Sequence, residues 1–529
     1  MSATTQLLCN NFGGIRQRTG VFSDEIITAQ DIQNVELYHT GLNGGIGIRT
    51  TKGNQLAKNF PNENIINIFE SVQNENKHFI IHTEVIREAK GKLYLYYKNT
   101  LYTIKDNLRI TGESNGFDVA QGWSDYFFFT TGKEMFLLEI YENNKQVYTN
   151  KIVNTLTKLK PKDRDNTNVI GLGSCLFDNR LFIFNKNKLW YSKKSYISDF
   201  GGLATSNNNS NISTTAGYIE LTKNITAIHE YAGNLAIFFA DSSVMLSTDS
   251  NGNFSLSDES TGGCAGYNSL VFHDTDLFFY DDTKKSVFSF KQIVTGEKTL
   301  GQNVASEIQE ELQSISGDLN KIKAVSVFIK DRNEIWWLIP TRELNRSTII
   351  IYDYLKGEWV KRKCQKLNSI RVIDNKLYSA DTQGNLLEEY KSDKFNGEYI
   401  QHYYKCSPMN LGAMNTLKVL VFPPRVSFDL PYSNKFYVKY IKNYNTQKKP
   451  KVKFIKTKYK NIFTWDKSKW NEAYWQAENI GNVGKFPNAT FKVLEIEIYT
   501  DEPSEDSERS NQNFAIKTIE MSKIKVKQV

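Results

Sequence analysis

Residues 173–192 read GSCLFDNRLFIFNKNKLWYS. An apolar run, a polar Asp-Asn pivot, a second apolar run, another polar pivot and a third short run follow within twenty residues. That rhythm specifies short antiparallel strands joined by tight turns. Six more stretches repeat it: Lys77–Ile104, Trp123–Tyr141, Ala227–Ser247, Asn268–Phe290, Ala324–Pro340 and Asn368–Tyr390. The strand after each pivot starts near Leu93, Phe127, Leu181, Leu235, Leu277, Ile335 and Leu377, an average interval of about 47 residues. One small antiparallel sheet cannot bury both of its faces. Sheets stacked radially cover one another, and ring closure protects their edges. The expectation is a mainly β chain, a β-propeller of six to eight four-stranded blades. A large β-sandwich is the competing arrangement.

The other regions are arranged around this core. Gln302–Ile322 places Val304, Ile308, Leu312, Ile315, Leu319 and Ile322 at helical spacing, with Gly317 as an early stop, which predicts one amphipathic helix on the sheet surface. Ser206–Asn211 is a polar loop. After Tyr390 extended runs such as LKVLVF and KFYVKYI alternate with basic loops, and Asp501–Glu508 is an acidic one. The division expected is an extended N-terminal segment over 1–75, a propeller over 76–390 and a smaller β-rich domain or ring extension over 391–529.

Composition excludes several classes. The 529 residues are 40% hydrophobic and 23% charged, enough to bury a core and unlike a disordered chain. Aromatics make up 13%, with 32 Phe and 28 Tyr, a strand-favouring bias. Apolar runs such as Leu235–Ala240 are far shorter than the ~20 residues of a spanning helix. The opening MSATTQLLCNN lacks a basic segment followed by an apolar one, so no secretory signal is expected. Cys9, Cys175, Cys264, Cys364 and Cys406 are odd in number and widely spaced, which predicts reduced thiols made in a cytosol. The net charge of +8 permits a polyanionic partner without requiring one.

HExxH, GxSxG and phosphate-loop patterns are absent. Gly41–Gly47, GLNGGIG, lacks a following helix and reads as a turn. His78 and His82 stand four apart in a β-patterned run, about 13 Å apart on a strand, so they form no metal face. The neighbouring pairs Asp281–Asp282 and Glu310–Glu311 are poor acid–base partners, since adjacent strand residues face opposite sides. Ser247–Phe254, STDSNGNF, is similar to a sialidase Asp-box with one residue too many, and reads as a turn. The residue types that stand out are the lysines of Lys442–Lys460: Lys448, Lys449, Lys451, Lys453, Lys456, Lys458 and Lys460, interleaved with Tyr444, Phe454 and Tyr459. Lysine with aromatics suits a nucleic-acid or subunit interface, although base readout favours arginine and the stretch has none. A solvated hairpin guarded by lysines is the alternative. No catalytic, metal or cofactor residue is assigned.

Three blocks together resemble a known family. They are NFGGIRQRTGVFSDEIITAQDIQNVELYHTGLNGGIGIRTTKGN over 11–54, then GLGSCLFDNRLFIFNKNKLWYSKKSYISDF with ITAIHEYAGNLAIFFADSSVMLS in the middle, then ASEIQEELQSI, AVSVFIKDRNEIWWLIP and STIIIYDYLKGEWVKR. Their order is similar to that in tail hub, or nozzle, proteins of short-tailed, podovirus-like bacteriophages, also known as packaged-DNA stabilisation proteins. About 130 C-terminal residues have no counterpart. The resemblance implies a propeller subunit in a sixfold homo-oligomeric ring at the distal end of the tail. Such a ring lies below the adaptor and head–tail connector proteins, extends and closes the DNA ejection channel, and anchors fibres or spikes. It implies a virion protein made in a bacterial cytoplasm, with double-stranded DNA passing through without specific contacts, no cofactor, no small-molecule substrate and no reaction. Two other readings stand beside it. A carbohydrate-binding or receptor-recognition propeller calls for aromatic and carboxylate groups converging at one face. A glycoside hydrolase calls for two carboxylates about 5–10 Å apart.

Overall fold

The computed structural model describes the chain from Thr4 to Lys527 outside 17–26, 41–44, 143–151, 202–215, 291–301, 316–324, 411–415, 429–434, 444–450, 457–482, 486–489, 502–511 and scattered single or paired positions. It divides into two compact units, one of residues 54–348 and 364–389, the other of 1–53, 349–363 and 390–529.

The first unit forms a propeller whose sixth sheet also takes in residues 349–363, grouped with the second unit. Its sheets run in strict sequence order: Glu63–Gln73 to Thr100–Arg109, Asn115–Gln121 to Ile152–Leu159, Gly173–Phe177 to Gly217–Glu220, Ala227–Tyr231 to Phe254–Leu256, Leu270–His273 to Gln302–Asn303, and Val325–Ile329 to Glu358–Gln365. The seventh sheet is Leu367–Ile373, Lys376–Asp381 and Asn385–Ser392, with Gly53–Asn59 as its fourth strand. A strand that precedes blade one in the chain thus completes blade seven. Except between blades four and five, the first strand of each blade packs against that of the next, and the first strand of blade seven packs against that of blade one. Between blades four and five the join is aromatic, with Phe238 and Phe279 ring centroids 5.0 Å apart. The blade count is seven, within the expected six to eight.

Why the middle strands read as unbroken apolar runs follows from this stacking. Each second strand is covered on both faces by neighbouring blades, so alternation disappears. Phe127, Phe128 and Phe129 are all fully buried, as are Leu181, Phe182 and Ile183, and Leu235 to Phe238. Phe69 of blade one meets Phe127 and Phe129 of blade two at 5.6 and 6.1 Å. The pivots marked by sequence fall at these second strands in blades two to seven. Blade one differs: Leu93 lies in its third strand, Lys90–Tyr97, and its second strand is Asn76–Val85. The buried polar His78 and His82 interrupt the apolar signal there.

Two further expectations are corrected. The helix is short: a 3-10 turn at Ser306–Ile308 leads into Gln309–Ile315, with Ile308 and Leu312 buried, while Gly317, Leu319 and Ile322 lie outside the described residues. Gln302–Asn303 instead pairs with Phe288 and Ser289 as the outer strand of blade five, because sheet pairing outweighs local helical preference. The boundary at 75/76 cuts through blade one, and residues 1–53 group with the C-terminal region rather than with the ring.

The second unit contains an eight-stranded and a six-stranded sheet, each using strands from the N-terminal and C-terminal segments. Phe428 of the former meets Phe436 of the latter at 5.7 Å, and Phe436 meets Phe514 at 5.5 Å. The early Phe-Gly-Gly finds its physical reason here. Phe12 packs edge-on against Tyr404 at 5.8 Å. A Cβ on Gly14 would lie 2.4 Å from the Trp359 carbonyl oxygen, so the strand tolerates no side chain. Its N–H donates to Glu358 Oε2 at 2.7 Å, while Arg16 donates to the other carboxylate oxygen at 2.7 Å.

Candidate functional site

A cavity of about 370 Å3 opens in the propeller at the end where the inner strands begin. Blade one contributes Asn64, Ile66 and Asn67 from its first strand and Glu84 from its second; Gly112, Glu113 and Ser114 lead into blade two. Asn268 precedes blade five, Val325 and Leu338 belong to blade six, and Lys366, Leu367, Asn368 and Thr382 come from around blade seven. Ring closure alone brings these residues together.

Hydrogen bonds fix the wall. Asn67 Nδ2 donates to the Ser114 carbonyl at 3.1 Å, and its Oδ1 accepts from Ser369 Oγ at 3.0 Å. Asn368 Nδ2 donates to the Ile65 carbonyl at 3.1 Å. The Tyr267 hydroxyl reaches from blade five to the Ser114 carbonyl at 3.2 Å, and Ser326 Oγ donates to the Asn268 carbonyl at 3.0 Å. Asn268-Ser269 and Asn368-Ser369 both open blade hairpins, a recurrence visible in the sequence that marks the start of inner strands.

Behind the wall His82 Nδ1 lies 2.9 Å from Ser114 Oγ, while its Nε2 is buried without a partner. An orphaned lone pair is tolerated better than an orphaned N–H, so the tautomer with a proton on Nδ1 fits, donating to the serine oxygen. The Ser114 hydroxyl proton is then available to the cavity. Burial pushes the His82 pKa down to about 3. A base that weak cannot activate a serine near neutrality, so the pair is a positioning device and not a nucleophile with its base. Burial also raises Glu84 and lowers Lys366, disfavouring the charged form of each.

Elsewhere the titratable groups serve the fold. His273 stacks on Phe328 at 3.8 Å, His78 meets Tyr97 at 5.3 Å, and His402 is held between Thr500 Oγ1 and the Thr51 carbonyl, each at 3.2 Å. Asp281 accepts the Lys284 and Gly263 amides and Asp282 pairs with Lys285, so this adjacent pair braces a turn. Asp249 in the Asp-box-like stretch accepts the amides of Asn251 and Asn253, both at 2.8 Å. Asp381 does the same with Gln383 and Asn385, which identifies a shared turn-closing device. Among the described residues no three His, Cys, Asp or Glu converge as a metal group.

Of the basic stretch, Lys451, Lys453 and Lys456 lie on the strand Lys451–Lys456, at the end of the six-stranded sheet and paired with Lys435–Lys442. Lys453 is exposed, and Phe454 packs on Tyr437 at 4.9 Å. Lys448, Lys449, Lys458 and Lys460 lie outside the described residues. Along this sheet an aromatic row, Tyr403, Tyr499, Tyr437 and Phe454, stands in register across four strands, flanked by Lys439–Glu497 and Lys405–Glu495 ion pairs at 2.7 and 3.2 Å. Phe454 is therefore engaged by the sheet rather than presented for base stacking.

No protein-family description and no curated protein matches the chain. Solved structures similar to it include the computationally designed Ika8 protein, at 12% identity over 64% of this chain and 100% of that one, with a TM-score of 0.35. A streptogramin B lyase aligns at 10% identity over 67% and 96%, TM-score 0.35, and virginiamycin B lyase from Staphylococcus aureus at 9% over 62% and 94%, TM-score 0.36. The propeller assignment rests on the chain's own sheet order, and no activity follows from such distant likeness.

Proposed function

We propose that this chain is a structural subunit of a virion, the distal tail nozzle or hub of a short-tailed bacteriophage, with no reaction of its own. The observation that supports the reading is the way the chain is laid out. The blocks that resemble the nozzle family fall, in order, on the N-terminal strands, on blades three and four, and on the short helix with blade six. The boundaries between the two compact units, at 53/54, 348/349, 363/364 and 389/390, each fall inside a blade strand. A recognition module exchanged on a tether needs one linker outside its sheets. Strands shared between the two units suit a building block of an assembly instead.

Under this reading DNA does not thread the ring of one subunit, because the cavity at its mouth carries Glu84 and Glu113 against a single lysine. The channel would be bounded by several subunits around a shared axis. A conduit also avoids tight phosphate contacts that would hold the genome back.

The test is quantitative peptide mass spectrometry on purified phage-like particles from the source culture, with antibody-gold labelling of the same particles. Label at the tail tip, with about one copy for every two portal subunits, is the expected result. Absence from particles, or label on fibres or cell surfaces alone, would overturn the proposal and favour a receptor-binding propeller.

A further inference from the structure

We propose that the cavity at the mouth of the propeller is a binding site for a short neutral saccharide. This goes beyond the virion reading and stands on separate observations. The volume, about 370 Å3, falls within the usual range for small-ligand pockets. Polar groups and aliphatic side chains share its wall about equally, so an amphipathic ligand fits better than a purely apolar one.

Charge and valence narrow the class. One lysine, Lys366, stands against Glu84 and Glu113, so the wall offers phosphates and other anions a single cation. Asn64 Oδ1 is buried at this wall and has no hydrogen-bond partner. It calls for a donor. The Ser114 hydroxyl, freed by the His82 contact, calls for an acceptor. An ammonium group supplies donors only and an unprotonated anion acceptors only, whereas every sugar hydroxyl supplies both. Ile66, Val325 and Leu338 offer aliphatic surface for the C–H face of a pyranose ring. The polar wall is held before any ligand arrives, because Asn67 and Asn368 are tied to carbonyls at 3.1 Å, which limits the ordering cost of binding. Ordered water is the competing occupant.

The test uses the purified full-length chain. Maltotriose, cellotriose, chitotriose and mannobiose are screened by saturation-transfer NMR, with inorganic phosphate as the anionic comparison. At least one neutral sugar is expected to give saturable signal, and phosphate none. Asn64→Ala and Glu84→Gln, both at partly exposed positions, are expected to weaken that sugar at least tenfold while leaving circular dichroism and the melting temperature near wild type. Silence from all four sugars at millimolar concentration would mean the cavity holds water and would overturn the proposal. So would displacement of a bound sugar by phosphate, or folded variants that bind like wild type. None of these outcomes depends on where the protein is found in a particle.

Discussion

Ring closure can be tested at one glycine. Gly384 sits in the turn of blade seven with φ +79, and a Cβ there would come within 2.3 Å of the Glu63 carbonyl oxygen and 2.4 Å of that of Phe60. The Phe60 N–H donates to the Gly384 carbonyl at 2.8 Å, joining the turn to the chain just before blade one. Gly384→Ala therefore adds left-handed backbone strain of about 1–2 kcal/mol. It also forces the two backbones apart, leaving a buried N–H unpaired at a further cost of about 1–3 kcal/mol. Gly233→Ala is the control: φ there is +74, but a Cβ meets nothing within 4 Å, so only the strain remains. The two variants should differ by about 1–3 kcal/mol in urea unfolding. Hydrogen exchange at 54–73 and 381–389 should run roughly 5- to 150-fold faster in the first. Equal losses in both variants would refute the steric argument. Faster exchange elsewhere in the ring would refute the placement of the seam.

Further outcomes follow from other sites. His82 is neutral in the fold with its pKa lowered to about 3, while the unfolded chain takes up a proton near 6.5. Its contribution is therefore fully present above pH 6.5 and is lost as pH falls toward 3, on the order of 1.4 kcal/mol per pH unit, and His82→Gln should flatten the urea midpoint across pH 4–7 relative to wild type. Phe127→Ala empties a fully buried site between blades one and two and should cost about 3–5 kcal/mol, read as a lower melting temperature with the sheet spectrum retained. Glu358→Gln weakens the charge-assisted bonds to Gly14 and Arg16 in the second unit and should cost about 1.5–3 kcal/mol, with proteolysis mapping the loosened N-terminal strand.

The repeated core was legible because physics writes it locally. A strand sandwiched between two blades must be apolar on both faces, and runs such as Phe127–Phe129 or Ile335–Ile339 announce it. What depends on closure was not legible. Gly53–Asn59 carries one large apolar residue, Leu56, which is 46% exposed, so nothing in GNQLAKN marks it as the last strand of the last blade. The cavity draws on five blades, from Asn64 to Thr382, and no spacing along the chain announces such a meeting. His82 lies behind the cavity wall, and its partner Ser114 lies 32 positions away and carries no motif. The lysine stretch drew notice by composition alone, and the strand it contributes takes its aromatic residue back into the sheet.

The strand that seals the ring also sets a timetable. Residues 53–59 leave the ribosome early, and their partner at 385–392 follows some three hundred residues later. At roughly 5–20 residues per second, that is an interval of about 16–65 s. During it the nascent chain holds a growing stack of blades whose two ends are both open edges, the geometry most prone to join a neighbouring chain. Translation speed and chaperone occupancy in the interval should therefore govern the yield of closed rings more strongly than the stability of any finished blade. A synonymous slow stretch before residue 385 would shift material into aggregates without altering the folded product.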